Sequence, residues 1–296
     1  MPLTIKVPAT SANLGPGFDA LGLALDLWNE STFEPADDFS VSIEGEGKGR
    51  LSQGKSNMIL RAAWKLAERV GKKLPACTVH CVNHIPTGSG LGSSAAATLT
   101  GLLAANVLMN SKLSEIEILS FASELERHPD NVAPAMMGGL VVSTVSEGNV
   151  IARKLQISPV HITVVVPDFH FSTTEARNSL PKQVKIKDAV HNISRAVLVT
   201  EALRAGDLTL LGEAMTDVLH QPYRLPLIPG AQKAMEAMKA EGAAVALSGA
   251  GPSLIAFSHT ESNAGSAAKH AFQQAGLTAR IFQLGISHRG AEIHAT

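Results

Sequence analysis

The sequence predicts an α+β protein built as two domains, on three observations. At 296 residues the chain exceeds one typical domain and can hold two, each with its own core. Strand-like and helix-like stretches follow one another without the regular βαβ repeat of a doubly wound sheet. Composition shifts over residues 146–157, which places a boundary there and gives domains of residues 1–155 and 156–296. The apolar fraction of 45% fits a globular chain, and the 4% of aromatics predicts a core of aliphatic and small side chains.

In chain order, residues 3–8 alternate and read as a strand. Residues 9–19, Ala-Thr-Ser-Ala-Asn-Leu-Gly-Pro-Gly-Phe-Asp, read as a loop by their Gly-Pro-Gly content. Asn13 and Asp19 there can face a ligand or bond their own backbone as turn residues. Strands are expected over 28–34 and 39–44. Asn57 caps a helix over 58–70, with Ile59, Ala62, Ala63, Leu66 and Val70 on one face. Residues 77–82 are a strand carrying both cysteines, Cys77 and Cys81, on one side. No further Cys or His pair completes a zinc set, so two reduced thiols of a cytoplasmic protein are expected.

Residues 86–97, Pro-Thr-Gly-Ser-Gly-Leu-Gly-Ser-Ser-Ala-Ala-Ala, are the centre of the pattern. Three glycines and three serines fall between Gly88 and Ser94, and a helix over 95–109 follows at once. A glycine turn opening a helix collects unpaired amides at the positive end of the helix dipole, a natural phosphate site. It lacks the lysine of a Walker A loop and the glycine spacing of the dinucleotide fingerprint. The alternative is a plain turn before a core helix. Residues 85–111 carry no charge, but four glycines and several polar residues break the run, which is too short to span a membrane.

Ser114-Glu115-Ile116-Glu117 is a capping box opening a helix to about residue 126. Glu124, Glu126, His128, Asp130 and Asn131 then crowd the helix end and a following loop. Carboxylates beside a phosphate loop suit Mg²⁺, which takes oxygen ligands. Gly138-Gly139 precedes a strand over 140–144. The second half reads as a strand over 162–166, helices over 188–205, 208–219 and 231–241, strands over 244–247 and 254–257, a helix over 262–275 and a strand over 279–284. Its polar loops are 172–177 and Ser248-Gly-Ala-Gly-Pro-Ser253, and Arg177 and Arg224 are candidates to grip a carboxylate bidentately. Net charge is −1 with no basic stripe, which argues against a nucleic-acid surface. No signal-peptide pattern opens the chain and no membrane span is expected.

Taken together, Pro86-x-x-x-Gly-Leu-Gly-Ser-Ser-Ala-Ala, the run from Ala9 to Asp19, and Ser248 to Ser253 resemble, in this order, the three motifs of the GHMP kinase superfamily. Ser11 to Asp19, His128 to Pro134 and Ser172 to Arg177 resemble its homoserine kinase branch. The resemblance implies an N-terminal domain like the second domain of ribosomal protein S5 and a ferredoxin-like C-terminal domain. It implies ATP along His84, Ile85, Pro86, Thr87, Gly88, Ser89, Gly90, Leu91, Gly92, Ser93 and Ser94, with Mg²⁺ on Ser94 and a glutamate. Glu126 and Glu124 both stand for that glutamate, with Glu126 favoured.

The resemblance further implies L-homoserine as acceptor. Asn13, Asp19, His128, Asn131, Thr173, Arg177, Arg224 and Gly249 would line its site, and Asn131, Arg177 and Arg224 would serve catalysis. Asn131 stands where some relatives carry an aspartate, so catalysis by alignment and charge stabilisation is expected rather than by a strong base. His128 is expected to orient its neighbours. A homodimer is a further expectation. The rival readings are a GHMP kinase for mevalonate, a sugar or shikimate, and a nucleotide-binding protein without catalysis. An amino alcohol wants a carboxylate for its amine and an arginine for its carboxylate, which Asp19 and Arg177 or Arg224 supply.

Overall fold

A computed structural model describes residues 2–295. It is an α+β protein with a seven-stranded and a four-stranded sheet. In the first sheet, β1 (Leu3–Ala12) pairs antiparallel with β2 (Leu21–Pro35). The far part of β2 pairs with β4 (Cys77–Asn83) and its start with β5 (Leu140–Ser146). β3 (Ser40–Gly45) lies parallel to β4, and β6 (Asn149–Leu155) closes a hairpin with β5.

The second sheet runs β10 (Ala279–Leu284), β7 (His161–Pro167), β9 (Leu254–Ser258), β8 (Ala244–Leu247), all antiparallel. The last strand, β11 (Glu292–Ala295), returns to pair with β1, so the end of the chain lies in the first sheet.

Helices α1 (Met58–Val70), α2 (Ser93–Leu108) and α3 (Glu115–Glu126) pack on the first sheet. Asn57 caps α1 by accepting from the Ile59 amide, and Ser114 and Glu117 close their capping box on α3. α2 carries no charged residue and is mostly buried, with Ser94 near its start and Val107 near its end exposed. Leu99, Leu102 and Leu103 are buried there, each contributing roughly 2 kcal/mol of transfer free energy. Gly101 lets α1 approach closely: a Cβ there would strike the Ile59 carbonyl.

Several elements differ from their sequence expectation. β1 does not stop at Pro8, which has no N–H. A register shift between Pro8 and Ala9 absorbs the break and the strand continues to Ala12. β2 starts at Leu21, seven residues early; both faces of residues 21–25 are buried, which removes the alternation that marks a strand. Residues 172–177, read as loop, form the short helix α5 (Thr173–Asn178), whose Ser172–Glu175 capping box was legible. α4 (Val132–Met137) was also read as loop; its Pro134 sits in the first turn, where no N–H is needed.

α6 (Ile186–Ala205) is close to expectation, but α7 (Leu208–Ala214) ends before residue 219, and the chain turns through Asp217 into α8 (Gln221–Arg224). α9 (Ala231–Ala240) and α10 (Ala264–Gln274) cover the second sheet. β6 and β11 are strands beyond those the sequence predicts. Among the described residues no helix is long and apolar enough to cross a membrane.

Candidate active site

The glycine turn before α2 is a formed cradle. Gly88, Gly90 and Gly92 all take positive φ. A methyl on Gly90 would strike the Ser248 carbonyl, and one on Gly92 the Thr10 hydroxyl, so both close approaches require glycine. Gly92 is the N-cap of α2 and no side chain caps that helix, so its first amides have no side-chain partner beside the loop. Asn29, unnoticed in the sequence, fixes the entry to the turn: its Oδ1 accepts from the amides of His84 (2.8 Å) and Ile85 (2.9 Å). Ile85 and Leu91 are fully buried, and the Ser89 hydroxyl donates to the Pro86 carbonyl. Ligand contact at those positions therefore falls to the main chain. A cavity of about 320 Å³ opens beside the turn, lined by Asn57, Met58, Thr87, Ser94 and Ala97 among others.

Ser94 and Glu126 meet across α2 and α3. The Ser94 hydroxyl lies 2.9 and 2.8 Å from the two carboxylate oxygens, and Thr98 donates to Oε1 at 2.6 Å. Glu124 is turned away in a bidentate ion pair with Arg69 at 2.9 and 2.7 Å. Of the two glutamates, only Glu126 faces Ser94. Among the described residues no group of three or more His, Cys, Asp or Glu converges. A hydroxyl and a carboxylate beside a phosphate turn suit Mg²⁺, whose remaining ligands are nucleotide and water oxygens.

The acceptor side is assembled from both sheets. Asn13 donates from Nδ2 to the Gly249 carbonyl (2.8 Å) and accepts from the Asp19 amide (3.0 Å). Asp19 carries a forked ion pair from Arg177 on α5, with 2.8 Å between Nη2 and Oδ1. Thr173 heads the same helix. Arg224 on α8 is buried and donates weakly to the carbonyls of Gly249 and Ala176, at 3.3 Å each. Burial, and then the Arg177 charge, pull its pKa down to about 10, so it remains cationic at neutral pH. Both guanidiniums stand over the Phe18 ring, at 5.5 and 5.2 Å. Nothing local in the sequence marks Phe18 for this place.

Asn131 joins the two sides. Its Oδ1 accepts from the Thr10 hydroxyl at 2.9 Å and lies 3.2 Å from where a Gly92 Cβ would stand. An amide held this way offers donors and no proton-accepting carboxylate. His128 Nδ1 meets Asp130 Oδ1 at 2.7 Å. Burial works against a charge on this imidazole, but the Asp130 hydrogen bond and charge, with Asp19, outweigh it and raise the His128 pKa. The loop 248–253 closes on the glycine turn. Gly249 N donates to the Ala12 carbonyl, Ser253 N to the Ser89 carbonyl, and the Ser248 hydroxyl lies within 2.9 Å of Ser11 Oγ and the Gly90 carbonyl.

The family models for the GHMP kinases N terminal domain and the GHMP kinases C terminal match residues 57–139 and 199–276. A homoserine kinase of Moorella thermoacetica is 43% identical over 99% of this chain and 100% of its own length. The chain belongs to the GHMP kinase family.

This GHMP kinase is also 39% identical to a homoserine kinase of Aquifex aeolicus, over 99% of the chain and 100% of that protein. Among solved structures, a homoserine kinase from Cytophaga hutchinsonii superposes with a TM-score of 0.87 at 30% identity, covering 99% of this chain and 97% of that one. The L. major mevalonate kinase, 16% identical with a TM-score of 0.69, shares the fold over 95% of this chain and 94% of its own.

Proposed function

We propose that this GHMP kinase transfers the γ-phosphoryl group of ATP to the hydroxyl of L-homoserine, giving O-phospho-L-homoserine. The observation that carries the acceptor is Asp19 and Arg177 standing as a preformed opposite-charge pair with a second, buried arginine, Arg224, behind them. A zwitterionic amino alcohol brings an ammonium for Asp19 and a carboxylate for an arginine. The ion pair the two residues make with each other is exchanged for ion pairs to the substrate. The main-chain amides at the start of α2 support triphosphate binding, and the cavity beside Met58 and Ala97 suits the base.

The metal assignment goes to Ser94 and Glu126. Held there, magnesium would supply neutralisation of charge on the phosphates. Around it the protein's own groups do the positioning. Asn131 and His128 flank the acceptor hydroxyl, and Arg177 and Arg224 add positive charge where negative charge grows. Phosphoryl transfer needs alignment more than a strong base, so an asparagine suffices at that place. ADP release measured with a panel of hydroxyl acceptors decides the substrate. L-homoserine should exceed mevalonate, shikimate and sugars by at least about 100-fold in kcat/KM, a gap of roughly 3 kcal/mol at the transition state. Turnover of any of these at a rate equal to homoserine would overturn the assignment.

The ATP-binding unit is assigned to residues 1–155 and the second unit to 156–296, with β11 crossing back. The two buried cysteines have thiols raised in pKa by burial, which suits a reducing cytoplasm. Pairing with a second copy is assigned to α6. Ile186, Val190, Ile193 and Val197 recur there at spacings of four, three and four, and are 82%, 58%, 66% and 66% exposed. Together they present on the order of 500 Å² of apolar surface, as large as the largest patch on ordinary monomers. Ala189 and Ala196 beside the stripe permit close approach. Glu201 at the far end is neutralised by its ion pair with Arg204, so an antiparallel two-fold pair rests on the aliphatic stripe rather than on charge.

A further inference from the structure

His220 is a completely buried imidazole that no step of the phosphoryl transfer uses. Each of its ring nitrogens has a partner of fixed character. Nε2 lies 2.7 Å from the Gly15 carbonyl, which can only accept, so Nε2 carries the proton. Nδ1 lies 3.3 Å from Arg224 Nη1, which can only donate, so Nδ1 is bare. The ring is therefore neutral. One face stacks on Phe18, with centroids 5.2 Å apart and planes 25° from parallel. Its main chain is pinned by Asp217, whose Oδ2 accepts from the amides of His220 (3.0 Å) and Gln221 (2.6 Å). Asp217 Oδ1 takes Asn192 Nδ2 at 2.6 Å and the Leu219 amide at 3.0 Å, and Asn192 Nδ2 also reaches the Pro16 carbonyl at 3.1 Å.

The loop carrying Asn13 and Asp19 is thus held from the second half of the chain by two side chains, on consecutive carbonyls. One of them, His220, also touches the arginine on the far wall.

We infer that His220 is a positioning residue for the acceptor pocket: as a neutral imidazole it fixes the spacing between the loop of Asn13, Phe18 and Asp19 and the guanidinium of Arg224. This rests on the proposed roles of Asp19 and Arg224 toward the acceptor. The charged groups facing the ring are Arg224 and Asp217 on either side of it in its own segment, Asp19 on the loop, and Arg177 on α5 across Phe18. A second positive charge on His220 would stand against Arg224 and cancel its acceptor. Burial, followed by the Arg224 charge, outweighs Asp217 and lowers the His220 pKa, which keeps the acceptor available through the neutral range.

Three variants separate the contacts. His220→Phe keeps the stack and loses both hydrogen bonds. His220→Asn places an amide oxygen near the position of Nδ1 and restores the acceptor for Arg224. His220→Gln reaches Gly15 and not Arg224. For His220→Phe the KM for homoserine should rise about 10-fold or more while the KM for ATP stays within about 2-fold, and His220→Asn and His220→Gln, each keeping one of the two contacts, should fall between Phe and wild type. Equal rises in both KM values, or a Phe variant with an unchanged KM for homoserine, would overturn the inference.

A second readout needs no turnover and no variant. In a ¹⁵N–¹H spectrum of the wild-type imidazoles, His220 should remain the neutral Nε2–H form at pH 6, where an ordinary histidine is mostly protonated. A protonated His220 there removes the inference whatever the acceptor proves to be. A wild type that binds ATP yet ignores homoserine, with His220 neutral, counts against the acceptor assignment alone.

Discussion

At the residue scale, Glu126 and Glu124 were equivalent letters until their partners were known. Glu126 faces Ser94 and Thr98, and Glu124 is spent on Arg69 at the surface. Glu126→Gln should lower Mg²⁺-dependent kcat/KM by at least about 100-fold, roughly 3 kcal/mol. Glu124→Gln should leave it within about 2-fold and change stability by less than about 1 kcal/mol, since it loses an exposed ion pair. Comparable losses in both variants would reverse the metal assignment. His128 gives a pH prediction whose sign follows from its raised pKa in the folded protein. The native state holds the proton more tightly than the unfolded chain, so the contribution is complete below about pH 6.5 and is lost as pH rises through the raised native value. The difference in melting temperature between wild type and Asp130→Asn should therefore be largest near pH 6 and shrink toward pH 8.5. A difference that grows with pH would refute it.

At the element scale, the start of α2 depends on Gly92 having no side chain. Its φ of +71° disfavours an L side chain by roughly 1–2 kcal/mol, and a methyl would run into Thr10. Gly92→Ala should fold with stability lowered by roughly 1–3 kcal/mol and raise the KM for ATP at least about 10-fold. Unchanged ATP binding would show that the helix start is not the phosphate seat. Elements whose signal is local were legible: the Asn57 cap, the Ser114 box and the span of α1 agree with the structure. α5 carried the same kind of signal in Ser172 and Glu175 and went unread because its helix is barely two turns long. β6 was hidden in a stretch read as a boundary; Glu147 and Gly148, both at positive φ, turn β5 back into it.

At the scale of the whole molecule, the two halves of the chain are joined at a seam beside Asp19 and Arg224. Ala12, Asn13, Gly15 and Pro16 from the first half meet Asn192, His220 and Gly249 from the second, all through hydrogen bonds. α6 contributes Asn192 to that seam and turns its aliphatic stripe outward. Light scattering on the full chain at micromolar concentration should give a dimer, and Ile193→Asp should give a monomer that still turns over substrate. A monomeric wild type at about 100 μM would remove the self-interface.

The sequence by itself determined the glycine turn, the helix it opens and the family, because these lie in contiguous runs whose glycines, caps and hydroxyls act on near neighbours. Only the tertiary structure decided which glutamate faces Ser94, that Arg177 rests on Asp19, and that His220, Phe18, Asn192 and Asp217 gather around the loop of Asn13 and Asp19. Those choices are made by residues 25 to 205 positions apart, some meeting in buried surface and some at its edge. No local spacing encodes such meetings; the packing of one sheet against the other does.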